Sequence, residues 1–331
     1  MLDIIIPQYK EDESVIKNLL DSIKNQKGIN FDEIRITIVN DCSGVDLSVS
    51  FLESYESLRI RYLINEKNTG PGLARQYGIN RTGEPYIMFI DADDELSNEF
   101  ALKVILDFIK FREPDYLVTN IKVEVIKDGK LDTIIKKNRD TFPWMHGKVY
   151  KREFLYRNHI KFHENIRHTE DSYFTTSVLG VIDQSQICFI DHDTVLWKMN
   201  NNSLTRTLEP SDYTYKIFDD FFNTPFYSFE YLSLHKSPMR FSYYVEAMFG
   251  LYIVLNSNVF NKDGRLEQKN DYEKILKNNI MKRRNLFILF KENELRELYN
   301  NELKELVDRM LLKDITVSFD SFVNEYLKGG K

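Results

Sequence analysis

Within the first 120 residues, short β-branched runs alternate with segments of helical periodicity, and that alternation leaves few folds open. Leu2–Ile6 is an apolar run, after which Ile16, Leu19, Leu20 and Ile23 recur at helical spacing. Ile34–Val39, Arg59–Ile64, Tyr86–Ile90 and Asp115–Thr119 read as further strands. Helical stretches separate them over Leu47–Tyr55, from Pro71 to about Asn80, and from about Asn98 to Phe111. Pro71 fits the first helical position, where its missing N–H costs nothing. Strands separated by helices of this length pair in parallel through right-handed crossovers. The expected fold is α/β: a doubly wound, Rossmann-like, mostly parallel sheet with helices on both faces.

The pattern changes after residue 120. Ile121–Ile126 and Leu131–Lys136 flank Asp128-Gly129, a hairpin signal. Helices follow near Lys151–Asn158 and Glu170–Leu179, then a strand at Gln186–Ile190. From about Pro210 the chain reads as helices rich in Phe and Tyr. Two domains are therefore expected, 1–208 for the α/β part and 209–331 for a smaller helical part.

Composition removes several function classes. Only two cysteines, Cys42 and Cys188, occur in 331 residues, too few for a disulfide framework or a cysteine-based zinc or iron–sulfur site. The net charge of −6 supplies no bulk positive field for nucleic acid. No apolar run approaches the ~18–20 residues needed to span a bilayer. The opening MLDIIIPQYKEDES lacks a basic leader region, so a cytoplasmic protein is expected.

In an open parallel sheet, ligands bind beyond the C-terminal strand ends. Those ends carry Pro7-Gln8-Tyr9-Lys10-Glu11, Asn40-Asp41-Cys42-Ser43, the stretch from Asn65 to Gly72, and Asp91-Ala92-Asp93-Asp94. Crowded carboxylates raise one another's pKa unless a cation neutralises them. A hard divalent ion, Mg²⁺ or Mn²⁺, suits such a group. The alternative is an acidic N-terminus for a helix starting near Leu96. Asn68-Thr-Gly-Pro-Gly-Leu-Ala-Arg75 enters a helix and suits an anion there, yet matches neither a dinucleotide fingerprint nor a P-loop. His168-Thr169-Glu170-Asp171 also opens a helix, with Thr169 as a candidate cap and a carboxylate placed for general-base work.

IIIPQYKE, IVNDCS, NEKNTGPGLARQYGI, MFIDADDEL, WMHGKVYKREFL, HTEDSYFTT and LWKMNNNSLTR occur in an order and spacing that resembles family 2 glycosyltransferases of GT-A fold. The resemblance covers about residues 1–206 and is closest in character to bacterial and phage enzymes that decorate wall polymers such as teichoic acids. It implies an inverting hexosyl- or N-acetylhexosaminyltransferase using a UDP-sugar and Mn²⁺ or Mg²⁺. By position, Pro7, Tyr9 and Glu11 would line the base pocket and Asp41 would read uracil. Gly70, Gly72, Arg75, Ala92 and Lys198 would border the nucleotide, with Arg75 or Lys198 beside the leaving diphosphate. Asp91 would meet the ribose or donor sugar and share the metal with Asp93. Asp171 would be the base, supported by Glu170. Trp144, His146 and Lys148 would face the acceptor, a polysaccharide or teichoic-acid-type polymer.

One departure stands out. Some relatives have a metal-completing histidine where this chain has Asn200-Asn201-Asn202, and the nearest histidine is His192. In the C-terminal third, Lys282–Arg284 adjoin Leu286, Phe287, Leu289 and Phe290, a pattern that suits a core helix with a solvated basic end, a homo-oligomer or the inner face of a membrane. Two other functions share these residues: a catalytically inactive sugar-nucleotide-binding module, and a phage-type enzyme acting on modified DNA bases.

Overall fold

The computed structural model describes residues 1–141, 144–199, 218–240, 242, 243 and 246. Its elements run β1 (Leu2–Gln8), α1 (Glu13–Lys24), β2 (Ile34–Asn40), α2 (Val49–Glu53), β3 (Ile60–Ile64), α3 (Pro71–Ile79) and β4 (Tyr86–Phe89). There follow β5 (Glu95–Leu96), α4 (Ala101–Arg112), β6 (Tyr116–Lys127), β7 (Lys130–Lys136), β8 (Lys148–Lys151), α5 (Arg152–Arg157), α6 (Glu170–Val181), β9 (Ile187–Trp197) and α7 (Phe218–Leu234).

The sheet order is β3-β2-β1-β4-β8-β6-β9-β5, with β7 paired to β6. Strands β3, β2, β1 and β4 are parallel, as the alternation predicts. The chain passes from β1 outward to β2 and β3, then returns to β4 on the other side of β1. The switch point therefore lies between β1 and β4, where an open α/β sheet leaves a crevice beyond the strand ends. Leu2, Ile4, Ile5 and Ile6 are fully buried, so this central strand is packed on both faces. Each such side chain contributes about 1.5–3 kcal/mol. In α1 the expected stripe of Ile16, Leu19, Leu20 and Ile23 is buried, and Asp12 caps the helix by accepting from the backbone N–H of Ser14 and Val15.

Two features depart from the sequence expectation. The sheet turns mixed at β8, a four-residue strand antiparallel to both β4 and β6. Its apolar content, Val149 and Tyr150, is too short for periodicity to register. The strands expected at 115–119 and 121–126 form one strand, β6, because Asn120 does not break it. The Asn120 amide donates to Asp191 Oδ1 (2.7 Å) and accepts from the Asn138 N–H (2.8 Å), so it sits satisfied at a register shift against β9. Asp91–Asp94 do not cap a helix: a bridge strand, β5, follows, and α4 starts only at Ala101. The β6–β7 hairpin turns at Asp128-Gly129 as expected, both residues at positive φ.

Contacts divide the chain into Met1–Asp220 and Phe221–Lys331. The boundary expected near residue 208, Asn200–Asn202 and the 282–290 segment lie outside the described residues.

Candidate functional site

At the end of β1 the chain turns through Lys10 at positive φ, and the Tyr9 N–H donates to Glu11 Oε2 (2.5 Å). The Tyr9 ring is 45% exposed, open to stacking against a planar base. Burial pushes the Glu11 carboxyl above its ordinary range, with the hydrogen bond from Tyr9 opposing. Pro7 lies half-buried at the strand end.

Asp41, at the end of β2, is only 2% exposed. Its Oδ1 accepts from Asn65 Nδ2 (2.8 Å), Thr69 Oγ1 (2.8 Å) and the Thr69 N–H (2.9 Å), while Oδ2 accepts from the Gly70 N–H (2.6 Å). The carboxylate thus fixes the loop that leads into α3. Gly70 makes no side-chain cap and sits at φ 88°, a conformation that favours glycine. Gly72 faces inward: a Cβ there would lie 2.7 Å from Glu170 Cγ and 3.1 Å from Phe162 Cδ1.

That close approach brings α3 against α6, and Arg75 uses it. Its guanidinium is buried and bridges Asp91 Oδ1 (2.5 Å) at the end of β4 and Glu170 Oε1 (2.9 Å) on α6. Desolvation favours neutral forms, but the two carboxylates outweigh it at Arg75, which stays charged. Burial pushes Glu170 up to about 7, against the pull of Arg75. Asp91 is driven the other way: burial raises it, but Arg75 and the nearby His146 imidazole prevail and hold it well below the usual carboxylate range. Phe162 and Phe174 stack at 4.3 Å between ring centres, and Phe89 meets both edge-on at 5.7 Å, which fixes α6 on the sheet.

The acidic strand end gathers a ligand set that differs in part from the sequence expectation. Ligand atoms of Asp91, Asp94 and His146 lie within 4.8 Å of one another. His146 Nε2 stands 3.7 Å from both Asp91 Oδ2 and Asp94 Oδ2. Asp94 Oδ2 is buried with no hydrogen-bond partner, an acceptor that a cation would satisfy. Burial pushes Asp94 well above its ordinary range. Two carboxylates and an imidazole fit a divalent ion, Mn²⁺ better than Mg²⁺. Asp93 is half-buried and outside this trio, and Ala92 is buried beside it. His146 stacks on Trp197 at 5.0 Å, and Trp144 meets the same ring edge-on at 5.7 Å.

Lys198 stands beside the acidic strand end, whereas Lys148 is not where the sequence reading put it. Lys198 Nζ pairs with Glu95 (2.5 Å), and its backbone N–H donates to Asp94 Oδ1 (3.0 Å), so it buttresses the acidic loop. Lys148 is 0% exposed, with Nζ donating to the His146 carbonyl (2.8 Å) and Thr141 Oγ1 (3.3 Å). Its place on a central strand keeps it from an acceptor surface, and burial lowers its pKa to about 7. Asp171 is only half-buried, in the first turn of α6, and its Oδ1 accepts from the Ser172 N–H (2.7 Å). Asp94 and His146 were the missed ligand candidates. Asp94 lay inside the acidic motif, whereas no periodicity ties residue 146 to the end of β4.

The family model described as Glycosyl transferase family 2 matches residues 3–172. Among curated proteins, the chain is 27% identical over 182 residues to the poly(ribitol-phosphate) beta-N-acetylglucosaminyltransferase TarS of Staphylococcus aureus, covering 52% of this chain and 31% of that protein. It is 28% identical over 185 residues to a poly(ribitol-phosphate) beta-glucosyltransferase of Bacillus spizizenii, covering 53% and 28%. EpsJ of Bacillus subtilis, an uncharacterised glycosyltransferase, is 29% identical over 227 residues, covering 62% and 63%. The matches to the two poly(ribitol-phosphate) transferases thus span about a third of those proteins or less. The crystal structure of TarS 1–349 in complex with UDP-GlcNAc superposes with TM-score 0.65 at 19% identity, over 99% of this chain and 92% of that one. The likeness gives the GT-A fold.

Proposed function

Because the chain belongs to glycosyl transferase family 2, we propose that it transfers a hexose or N-acetylhexosamine from a UDP-sugar to a hydroxyl of a teichoic-acid-type polymer. The donor is suggested by the UDP-GlcNAc complex of a structural neighbour, and the acceptor by two poly(ribitol-phosphate) transferases. The observation that carries the reading is the Arg75 bridge, which ties the acidic end of β4 to the first turn of α6. Carboxylates assigned here to the donor side and to the acceptor side are thereby held by one guanidinium.

Uracil stacks on Tyr9 beside Pro7 and Glu11, and the loop held by Asp41 closes over the nucleotide at Gly70 and Gly72. Asp91, Asp94 and His146, with Asp93 alongside, would hold Mn²⁺ or Mg²⁺. When bound, the ion supplies positive charge beside the departing diphosphate. Asp171 is the base rather than Glu170, because Asp171 is partly open while Glu170 is buried and paired with Arg75. Its carboxylate takes the acceptor hydroxyl proton as the oxygen bonds to the anomeric carbon. The bond from that carbon to the diphosphate breaks in the same step, UDP leaves with the electron pair, and the configuration inverts. Trp144 offers its ring to the acceptor. The reading implies a cytoplasmic enzyme working at the inner face of the membrane; among the described residues, no helix is long and apolar enough to cross one.

Asp171→Asn tests the assignment. It keeps the shape and the acceptor for Ser172, so melting temperature and UDP affinity should hold while transfer falls roughly 10²–10⁴-fold. Transfer within threefold of wild type would remove Asp171 as the base. A sugar-nucleotide-binding module would show UDP affinity with no transfer in the wild type itself.

A further inference from the structure

Thr169 stands at the N-cap of the helix that carries Asp171. The two residues before it are gripped from elsewhere. Asp220, in the first turn of α7 and 8% exposed, aims one carboxylate oxygen at them. Its Oδ2 accepts from the Arg167 N–H (3.0 Å), the His168 N–H (2.7 Å) and His168 Nδ1 (2.8 Å). Three donors from consecutive residues converge on one atom, an arrangement that fixes both the backbone and the imidazole. The Arg167 side chain then crosses the nucleotide loop, donating from Nη2 to Asn68 Oδ1 and packing over Gly70. Asp220 lies well beyond residue 172, where the family match ends.

The geometry points to Asp220 as a positioning residue for the transfer step. It holds Arg167 and His168 so that the first turn of α6 presents Asp171 to the acceptor. This inference rests on the transferase reading above. It needs no new chemistry, because Asp220 touches neither donor nor acceptor.

The test compares Asp220→Ala and Asp220→Asn in the full chain. Alanine removes the acceptor, whereas asparagine retains a carbonyl oxygen for the same donors. Displacing a reacting group by about 1 Å costs on the order of 10²-fold in rate. Asp220→Ala should therefore lose roughly 10- to 100-fold in kcat with the donor KM within threefold, and Asp220→Asn should recover most of it. Backbone amide exchange at Arg167 and His168 should quicken in Asp220→Ala, while exchange in β1 stays as in wild type. The inference is overturned if Asp220→Ala turns over within threefold of wild type, or if KM rises in step with the loss of kcat. If Asp220→Ala does not fold, His168→Ala, which removes one donor of three, should show the same kcat-only loss at a smaller size, and an unchanged kcat overturns the inference. A wild-type chain that turns over no UDP-sugar refutes the transferase reading instead. Amide exchange in Asp220→Ala then decides the grip by itself, unchanged protection at 167 and 168 counting against it.

Discussion

Gly72→Ala tests the close approach of α3 and α6 with one methyl group. The new Cβ would stand 2.7 Å from Glu170 Cγ, 2.8 Å from Glu170 Cβ and 3.1 Å from Phe162 Cδ1. Carbon atoms sit comfortably at about 3.5–4.0 Å, so the first turn of α6 must retreat by roughly 0.8–1 Å. The obstructing atoms lie near the root of Glu170, so a side-chain rotation alone does not relieve the contact. Overpacking of this kind costs about 1–3 kcal/mol. Replacing a helical glycine by alanine returns up to about 1 kcal/mol, which leaves a net loss of roughly 0–2 kcal/mol. The effect on the reaction is larger, because Asp171 moves with the same turn, and about 1 Å there costs on the order of 10²-fold. A urea titration should show a small drop in midpoint, and a transfer assay a collapse in kcat. Wild-type turnover in Gly72→Ala would show that α6 need not touch α3 for the site to work.

Three further outcomes are expected. EDTA should abolish transfer, and Asp94→Asn or His146→Ala should weaken the rise in melting temperature that Mn²⁺ gives with UDP; unchanged turnover in EDTA, or an unchanged rise in both variants, would remove the cation from this trio. Glu170 holds its proton up to about pH 7 when folded against about 4.5 when unfolded, so its contribution is full below about pH 4.5 and is lost as pH rises through 7. Wild type should accordingly lose stability relative to Glu170→Gln by on the order of 2–3 kcal/mol between pH 4.5 and 8, and parallel urea midpoints over that range would refute the shift. Asp41→Ala should cost about 1.5–3 kcal/mol of stability and weaken UDP, since it frees the Asn65–Gly70 loop; equal inhibition by GDP and UDP would count against a uracil-reading pocket.

The parts of this fold legible in the sequence are those that repeat or punctuate. The stripe of α1, the buried runs of β1 and β2, Pro71 at the head of α3 and the Asp128-Gly129 turn each leave a local mark that one chain suffices to read. The acidic strand end was equally plain, because Asp91, Asp93 and Asp94 follow an apolar run directly. What stayed hidden depends on partners distant in sequence. Lys148 looked like a surface cation until β8 carried it between β4 and β6. Arg75 and Lys198 pair with carboxylates that no local pattern assigns to them, Glu170 for one and Glu95 for the other. His146 joins Asp91 and Asp94 across more than fifty residues, and no spacing rule signals such a meeting.

The reversed strand β8 also governs the order in which this sheet can assemble. Strands β3, β2, β1 and β4 come from the first 89 residues and can pair as soon as that stretch is available. One side of β4 then remains an open edge, with Ile87 and Met88 along it, until residues 148–151 arrive to pair with it. Strand β6 is made earlier than β8 yet reaches β4 only through it, so its first half must wait unpaired on that side. Late closure across some sixty residues of intervening chain is slow and leaves strand edges exposed to other molecules. A nascent chain halted before Lys148 would therefore carry a sticky half-sheet, and substitutions in this four-residue strand should lower yield and refolding rate out of proportion to its length.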